Sequence, residues 1–454
     1  MRAPKESTAH ARDFAALTAR AYYNTVVGGD RIDREIEAGE MLLSDPSALR
    51  LHVDARLRAL LDDVGRSVPF YRTLDCSSVR HPDDLRQLPV ITRRALQESP
   101  VDFDAAPRPS GSTPCQTGGS TGTPLSFWHD PVHRARMRVD LYRGYHWCGY
   151  QPGDRALFVW GSDYDARAHR TLPGRLLDRF GYNRCWANAF RLDSADMERV
   201  IAAAAEWQPD FIIAYTTSAL LVARSLGAHK LGRLRGVQVT AELLTPTVRA
   251  AIEEILGTPV FNRYGCREVG NIAHECGAHD GLHVFEDSHL VEILDDDGNP
   301  VADGVPGRIV MTNFASRATP FIRYDLGDIG RLRRGRCACG RSGARLDLVE
   351  GRVGEIVTSP SGKWIHGEFF THLFYKVDGV QQFRVVQETL HRLRIEIECD
   401  GRLDESTMRF LDETIRREGD PAFHVSFEKV VHIPRSPSGK FRFVESQVPL
   451  RVGL

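Results

Sequence analysis

The most informative stretch of the sequence is TGGSTGTP at residues 117–124, followed by LSFW at 125–128. Its glycines allow tight backbone turns, and its hydroxyl side chains and exposed N–H groups can surround phosphate oxygens. It lacks the GxGxxG pattern of dinucleotide sites and the Gly-Lys-Ser/Thr ending of P-loop NTPases. Taken alone, it is equally consistent with a polar turn in solvent. The LSFW segment predicts a strand leaving the loop.

The sequence changes character on either side of this loop. Upstream, ARDFAALTARAYY and LRLHVDARLRALLDDVG carry apolar residues three and four apart, which predicts helices. Downstream, ALFVWG, FIIAY and VQVTAE alternate with helical stretches such as SADMERVIAAAAEW and TPTVRAAIEEIL, which predicts parallel strands in α/β layers. Closer strands near the C-terminus, separated by Asp-Gly turns, favour antiparallel hairpins. The expected fold is therefore α/β, with a large domain over 1–349 and a small α+β domain over 350–454.

Composition excludes several classes of protein. Lys plus Arg number 59 and Asp plus Glu number 60, a net charge of −1 that argues against nucleic acid or an anionic membrane as partner. Hydrophobic residues at 42% and charged residues at 26% exclude a collagen-like, coiled-coil or disordered chain. No apolar run approaches bilayer length, the N-terminus lacks a secretory signal pattern, and nine scattered cysteines suggest a reducing compartment. We expect a cytoplasmic, soluble protein.

Four further motifs follow the loop in order: YGCRE at 264–268, RYDLGD at 323–328, EGRVGE at 350–355 and PRSPSGK at 434–440. Together with the loop they resemble the adenylate-forming superfamily, whose members use a Gly-rich loop, Tyr-Gly-x-Thr-Glu, Tyr-Arg-Thr-Gly-Asp, a Gly-Arg hinge and a late Gly-Lys. SVPFYR at 67–72 and LPVITR at 88–93 are similar to the phenylacetate–coenzyme A ligase branch. The resemblance covers nearly the whole chain and is weakest in the first 50 residues.

The resemblance implies an activity. A carboxylate would attack the α-phosphorus of ATP, pyrophosphate would leave, and the acyl group would pass to coenzyme A. ATP, Mg²⁺ and an aromatic acid would be the ligands, and a homodimer stays open. Lys440 would approach the α-phosphate and Glu268 would bind Mg²⁺ as the catalytic residues. The expected nucleotide contacts are Thr117, Gly118, Gly119, Ser120, Thr121, Gly122, Glu242, Tyr264, Gly265, Asp328 and Arg352.

Within that set, the resemblance implies that Tyr264 stacks on adenine and that Asp328 accepts hydrogen bonds from the ribose hydroxyls. The small domain would be mobile, rotating about Gly351 and Gly354 so that Lys440 leaves after the first step. Taken singly, each residue is more simply an ordinary surface or core residue, and their joint occurrence favours the site.

Two residues depart from the family pattern. Thr123 stands where most relatives have Lys before Pro, so one phosphate contact is missing or comes from elsewhere. Arg267 replaces the Thr before Glu268, which changes the local contacts to the nucleotide. These departures keep open a nucleotide-binding or scaffold protein without catalysis, and transfer to an amine, hydroxyl or carrier-protein thiol is a further alternative.

The acyl pocket is expected between the loop and the strands that follow it. Its predicted lining is Trp160, Phe190, Tyr215, Ala241 and Cys266. Aromatic walls suit an aryl acid, although core packing explains the same residues.

Cysteine and histidine recur in two segments. Cys276 and His283 follow the Tyr-Gly segment, and Cys337 and Cys339 come about 55 residues later. Two pairs of such ligands suit tetrahedral zinc, and free thiols are the alternative. Some relatives carry a similar set holding a structural zinc, which points to these four residues, with His279 and His274 as alternatives to His283. Four protein ligands leave no open position, so we expect a structural role.

Overall fold

The structure, a computed structural model, describes residues 5–117, 125–160, 171–188, 194–226, 231–295, 297–350, 356–362, 364–374, 377, 380–399, 404–433 and 444–448. Helices fill the N-terminal region at Lys5–Tyr22 (α1), Gly29–Ser44 (α2), Pro46–Ser67 (α3), Pro69–Arg72 (α4), Arg93–Glu98 (α5) and Pro100–Phe103 (α6). The predicted helical N-terminal region is therefore confirmed.

Helix α3 shows why this region is helical. Asp45 caps it by accepting hydrogen bonds from two backbone N–H groups, and Pro46 occupies the first turn, where its missing N–H costs nothing. Leu57, Leu60 and Val64 lie at three- and four-residue spacing and are fully buried. Their cluster packs the helices against Phe285, which directly follows the strand at Leu282–Val284.

Strands and helices then alternate, as the sequence predicts. The helices are Pro131–Trp147 (α7), Leu172–Leu176 (α8), Ser194–Trp207 (α9), Thr216–Leu226 (α10) and Pro246–Leu256 (α11). The strands are Thr113–Gln116 (β1), Ser126–His129 (β2), Ala156–Trp160 (β3), Arg184–Asn188 (β4), Phe211–Tyr215 (β5), Gly236–Thr240 (β6), Val260–Cys266 (β7), Gly270–Glu275 (β8), Leu282–Val284 (β9), His289–Leu294 (β10), Gly307–Asn313 (β11), Tyr324–Arg334 (β12) and Ala344–Glu350 (β13).

One sheet of eleven strands, among the described residues, forms the centre of this region. Its order is β10-β11-β12-β13-β9-β8-β7-β6-β5-β3-β4. Strands β4, β3, β5, β6 and β7 pair in parallel, whereas β7 pairs antiparallel with β8, and the strands beyond β8 are antiparallel too. Strand β7 therefore belongs to both halves. Ligands of α/β proteins commonly bind where the connectivity changes, outside the carboxyl end of a strand.

The C-terminal region has its own sheet and core. Its elements are Ile356–Thr358 (β14), Trp364–His366 (β15), Gly367–Phe374 (α12), Val380–Gln387 (β16), Arg392–Cys399 (β17), Glu405–Thr414 (α13), His424–Lys429 (β18) and Val444–Ser446 (β19). The sheet order is β18-β17-β16-β19, and the β16–β17 hairpin is antiparallel as predicted. Phe370, Phe383 and Leu411 pack in a core whose members all lie beyond residue 356.

Strand β13 ends at Glu350 and β14 begins at Ile356. The predicted hinge at 351–355 falls outside the described residues, so the division at 349/350 stays a prediction. Among the described helices, none combines the length and the apolar content needed to cross a membrane.

Candidate active site

The carboxyl end of β7 brings two predicted nucleotide residues together. The Tyr264 hydroxyl donates a hydrogen bond to Asp328 Oδ2 at 2.8 Å, although the two residues are 64 positions apart. Between the arms of this turn only glycine fits, because a Cβ on Gly265 would lie 2.2 Å from the carbonyl oxygen of Gly270. The pair is therefore held at the strand end, with the Tyr264 ring half-buried beside it.

Glu268 follows β7 directly and is buried. Its Oε1 accepts a hydrogen bond from the Tyr324 hydroxyl at 3.2 Å and lies 3.5 Å from Arg93 Nη1. Burial and the negative charge of Glu268 hold the pKa of Tyr324 well above its usual range, so this hydroxyl stays a donor. The backbone of Glu268 is also held in place, because its carbonyl oxygen accepts a hydrogen bond from His129 Nε2 at 2.9 Å.

The base of the Gly-rich loop is closed by two hydrogen bonds. Thr117 N donates to the Leu125 carbonyl at 2.9 Å, and Leu125 N donates to Thr117 Oγ1 at 3.0 Å. Arg93 Nη2 also donates to Thr117 Oγ1, at 2.5 Å. A single guanidinium therefore touches both the start of the loop and the Glu268 carboxylate. Residues Gly118, Gly119, Ser120, Thr121 and Gly122 lie outside the described residues.

Arg93 is held there by an irregular extension of the sheet. Ile91 forms a parallel bridge with Tyr324, through hydrogen bonds of 2.8 and 2.9 Å on its two sides. Thr92 then caps α5, whose first residue is Arg93. The same bridge therefore sets the position of Tyr324 relative to Arg93, the two partners of Glu268.

The end of β6 carries local backbone strain. Ala241 adopts a φ of +70°, a left-handed conformation that residues with a Cβ rarely adopt. Glu242, a predicted nucleotide contact, is buried, and its carbonyl accepts a hydrogen bond from Thr216 at 3.2 Å. Strain of this kind clusters at functional sites, and here it falls on Ala241, next to Glu242.

The predicted substrate-pocket residues are only partly brought together. The rings of Trp160 and Tyr215 lie 4.9 Å apart at the carboxyl ends of β3 and β5. Cys266 instead packs with Tyr264 against the cluster on the other face of β7. Phe190 lies outside the described residues, as do Arg352 and Lys440. The roles of these residues stay predictions.

A cavity of about 370 Å³ lies beside this strand end. Met137 and Leu141 of α7 form one wall, and Gly270 and Asn271 of β8 form another. Asn271 pairs with Gly265 in the sheet register, so the cavity faces the α7 side of β7.

Cys276, His283, Cys337 and Cys339 come together as predicted, with all four ligand atoms within 4.8 Å of one another. The two sulfurs of Cys276 and Cys337 lie 3.9 Å apart, and Cys339 Sγ lies 3.4 Å from His283 Nε2. Tetrahedral zinc, with bonds of about 2.3 Å to sulfur and about 2.0 Å to nitrogen, separates its ligand atoms by about 3.5–3.8 Å, so the set fits this metal.

Neither alternative histidine joins the four. His279 is engaged with Arg249 at 3.2 Å, and His274 bonds the Glu275 carbonyl at 2.6 Å. Burial and the neighbouring positive charge of Arg341 lower the pKa of His283 to about 4, so its imidazole is neutral, the form that binds metals. The cluster links β9 to the turn between β12 and β13.

Three residues of the site were given no role by the sequence. Tyr324 lies in the quoted RYDLGD segment and Arg93 ends the LPVITR segment, so both stood inside recognised motifs. Arg263 directly precedes Tyr264, and its Cζ lies 5.1 Å from the Trp160 ring centroid. Cation placement of this kind depends on sheet register, for which a single sequence offers no signal.

Comparisons with known proteins agree with this geometry. The chain is 28% identical over 318 residues to phenylacetate-coenzyme A ligase of Escherichia coli (strain K12), covering 66% of this chain and 70% of that protein. It is 26% identical over 325 residues to the phenylacetate-coenzyme A ligase of Thermus thermophilus, covering 68% and 71%. The chain is thus similar to phenylacetate-coenzyme A ligases over about two thirds of its length.

Other similarities concern the fold. Residues 357–447 match the CapK C-terminal domain family. A crystal structure of 2-hydroxyisobutyryl-CoA ligase with 2-HIB-AMP and CoA superposes with a TM-score of 0.59 at 18% identity, covering 88% of this chain and 90% of that one. The predicted α/β fold, with a small C-terminal domain of this type, is confirmed.

Proposed function

We propose that the protein activates a carboxylic acid with ATP as an acyl adenylate, releases pyrophosphate, and transfers the acyl group to coenzyme A. The relatives named phenylacetate-coenzyme A ligase support this activity. The observation that carries it is the cluster at the end of β7, where Glu268 lies between Arg93 and Tyr324, and Tyr264 bonds Asp328.

The first step joins two anions, so it needs charge neutralisation and alignment. A carboxylate oxygen of the acid attacks the α-phosphorus, and the bond from that phosphorus to the bridging oxygen breaks, so pyrophosphate leaves with the electron pair. Tyr264 supplies a flat face for adenine, and Asp328, already fixed by the Tyr264 hydroxyl, supplies acceptor oxygens for the ribose.

Arg93 is a source for the phosphate contact that Thr123 cannot make. Its guanidinium carries several donors, of which one bonds Thr117 and another faces Glu268. A fixed planar cation of this kind suits phosphate oxygens as well as an ammonium would. We assign Arg93 to the leaving pyrophosphate, next to the loop at 118–122.

Glu268 is the residue that would hold Mg²⁺, because a buried carboxylate is the hard oxygen ligand that this cation prefers. The cation would neutralise phosphate charge when bound. Glu268 keeps its position in any case, through the Tyr324 hydroxyl and the nearby Arg93 guanidinium.

Lys440 and Arg352 would complete the site from the small domain. Rotation about residues 351–355 would bring Lys440 to the α-phosphate and withdraw it before the thiol attacks. In that second step, the coenzyme A sulfur attacks the acyl carbonyl carbon and AMP leaves.

The acid that we propose is aromatic, because the Trp160–Tyr215 pair offers a flat apolar wall near the carboxyl ends of two central strands. We also propose that the Cys276–His283–Cys337–Cys339 set holds a structural zinc, which would fix β9 against the β12–β13 turn.

Pyrophosphate release with ATP, Mg²⁺ and a panel of aryl and aliphatic acids tests the activity. We expect release that depends on the acid and that is fastest with an aryl acid. No acid-dependent release with any acid of the panel would contradict the proposal.

The acceptor is tested separately by product analysis. We expect an acyl-CoA thioester when coenzyme A is present and an acyl hydroxamate when hydroxylamine replaces it. Hydroxamate without thioester would move the assignment to an amine, hydroxyl or carrier-protein acceptor.

A further inference from the structure

Arg263 occupies an unusual place for a cation, inside the central strand β7. It immediately precedes Tyr264, and side chains alternate between the two faces of a strand. Tyr264 packs against one core cluster, whereas Phe261, two residues before Arg263, packs against the cluster beneath α7. Arg263 therefore points to the α7 side, away from the adenine-facing tyrosine.

The neighbours of Arg263 are aromatic and uncharged. Its Cζ lies 5.1 Å from the Trp160 ring centroid, and Trp160 contacts Tyr215. The titratable groups that face it are Tyr145, Tyr215, Cys148 and His274. His274 lies opposite Arg263 across β7 and β8, and burial together with the Arg263 charge lowers its pKa to about 4, so it is neutral. Burial raises the pKa of Cys148 to about 12 and also raises that of Tyr145, so neither supplies a negative charge at neutral pH.

No carboxylate pairs with Arg263 among the residues that the structure describes. Its Nε is sealed from solvent and has no hydrogen-bond partner. Burial lowers the pKa of the guanidinium, because its charged form is poorly solvated there. Arginine nevertheless stays protonated at physiological pH, so a positive charge without a carboxylate partner lies beside the Trp160–Tyr215 pair.

Two arginines that are buried more deeply are paired with carboxylates. Arg143 is fully buried and pairs with Glu40 and Asp287, at 3.0 and 2.8 Å. Arg323 is buried and pairs with Glu292 at 3.1 Å. Arg263 is half-buried, and a cation partly withdrawn from water without a counter-charge is unfavourable. The contact with one tryptophan ring offsets only part of that cost.

We infer that Arg263 binds a second carboxylate on the acid substrate, which makes the substrate class an aromatic dicarboxylic acid. One carboxylate would react with ATP beyond the end of β7. The other would pair with the Arg263 guanidinium on the α7 side of the strand. The ring between them would lie against Trp160 and Tyr215. This inference rests on the proposed function, and it adds the chemistry at the far end of the acid.

The geometry suits a short, rigid diacid. Arg263 precedes the strand end at Cys266 by about 10 Å, at about 3.3 Å per strand residue. Met137 and Leu141 of α7 line the cavity of about 370 Å³, and Tyr145 follows Leu141 by one helical turn on the same helix face. Tyr145, which faces Arg263, therefore lies one helical turn beyond the residues that line the cavity.

Matched pairs of acids test the inference: benzoate with terephthalate, and phenylacetate with 4-carboxyphenylacetate. We expect kcat/KM for pyrophosphate release to be at least tenfold higher for the diacid of a pair. Arg263→Met should lower the diacid-to-monoacid ratio by about a hundredfold, because a substrate carboxylate would then be buried without a partner. Arg263→Lys should recover part of the ratio.

Arg179→Met is the matched control, since Arg179 also stacks on a tryptophan, at 4.0 Å from the Trp207 ring centroid, but on helical segments outside β7. It should leave the ratio unchanged. The ratio is insensitive to general loss of folded enzyme, which lowers both rates equally. A wild-type preference for monoacids, or an equal ratio in Arg263→Met, would overturn the inference.

Calorimetric titration of terephthalate onto the full chain separates this inference from the proposed function. Binding that Arg263→Met abolishes, without pyrophosphate release, would support the inference and contradict adenylation. Pyrophosphate release with monoacids alone would support adenylation and overturn the inference. Absent binding, or binding that Arg263→Met leaves intact, would also overturn it.

Discussion

Strand β7 and the residues just after it carry two side chains of opposite charge, and only one of them has a partner of opposite charge in the part of the chain that the structure describes. Just beyond its end, the Glu268 carboxylate is met by Arg93 and by the Tyr324 hydroxyl, so the chain itself compensates the charge. Inside the strand, the Arg263 guanidinium meets aromatic rings and a thiol. We infer that Glu268, whose charge is paired within the chain, positions catalytic groups, whereas Arg263, which has no carboxylate partner among the described residues, is available to pair with a substrate carboxylate.

The largest effect on the rate should come from substitution of Lys440, which we propose reaches the nucleotide from the small domain. Lys440→Ala should lower pyrophosphate release by about 10³-fold, since the cation would stabilise charge formed in the transition state. Stopped-flow or coupled assays of release measure it. Lys429→Ala, in the same domain, is the control; equal losses in both variants would count against the role of Lys440.

Glu268→Gln comes next and removes the charge while keeping the size of the side chain. We expect pyrophosphate release to fall by about 10²-fold, because the amide is a poor Mg²⁺ ligand and no longer matches Arg93. Raising Mg²⁺ should recover part of the rate. Glu98→Gln, at a side chain that is 59% exposed, should be silent. An unchanged rate in Glu268→Gln would refute the assignment.

Arg93→Met tests whether the side chain that pairs with Glu268 also binds the phosphates of ATP. The KM for ATP should rise by about tenfold, through loss of one charge-assisted contact. The neighbouring Arg94 provides the control, because it is 84% exposed and pairs with Glu98, whereas Arg93 is 22% exposed. Equal KM values for Arg93→Met and Arg94→Met would assign the phosphate contact elsewhere.

Substitution in the cysteine–histidine set should have the smallest effect on catalysis, because this set lies at β9 and the β12–β13 turn and not at the end of β7. The purified protein should contain about one zinc per chain, and Cys337→Ser should lose the metal and lower the thermal midpoint by several degrees. The rate at 25 °C should change less than threefold. Cys399→Ser, outside the cluster, is the control. A metal content near zero would remove the zinc proposal.

Regular periodicity is what made most of the fold predictable. The helices with three- and four-residue spacing and the short apolar strands between them follow from local pattern alone. Strand β1 was not predicted, because Pro114 lies inside it and pairs with Trp128 across a two-stranded sheet. Strand β12 was not predicted either, since Gly327, Gly330 and a run of arginines interrupt any alternation.

The site was predictable where residues fall in motifs and not where register brings them together. Tyr264, Asp328 and Glu268 stood in motifs, but the bond between Tyr264 and Asp328 depends on how β7 and β12 are placed in the sheet. Arg93 reaches Glu268 through the Ile91–Tyr324 bridge, which no local pattern encodes. The zinc set was predicted from ligand type, and its four side chains converge as expected.

Simultaneous measurement of AMP and pyrophosphate, with and without an aryl diacid, tests the central claim most directly. The claim is that the β7 end, the Gly-rich loop and α5 form one site that joins ATP to an acid. We expect equimolar AMP and pyrophosphate in the presence of acid and coenzyme A. With Glu268→Gln, we expect both products to form about a hundredfold more slowly. Formation of ADP, or the same yield with and without acid, would contradict it.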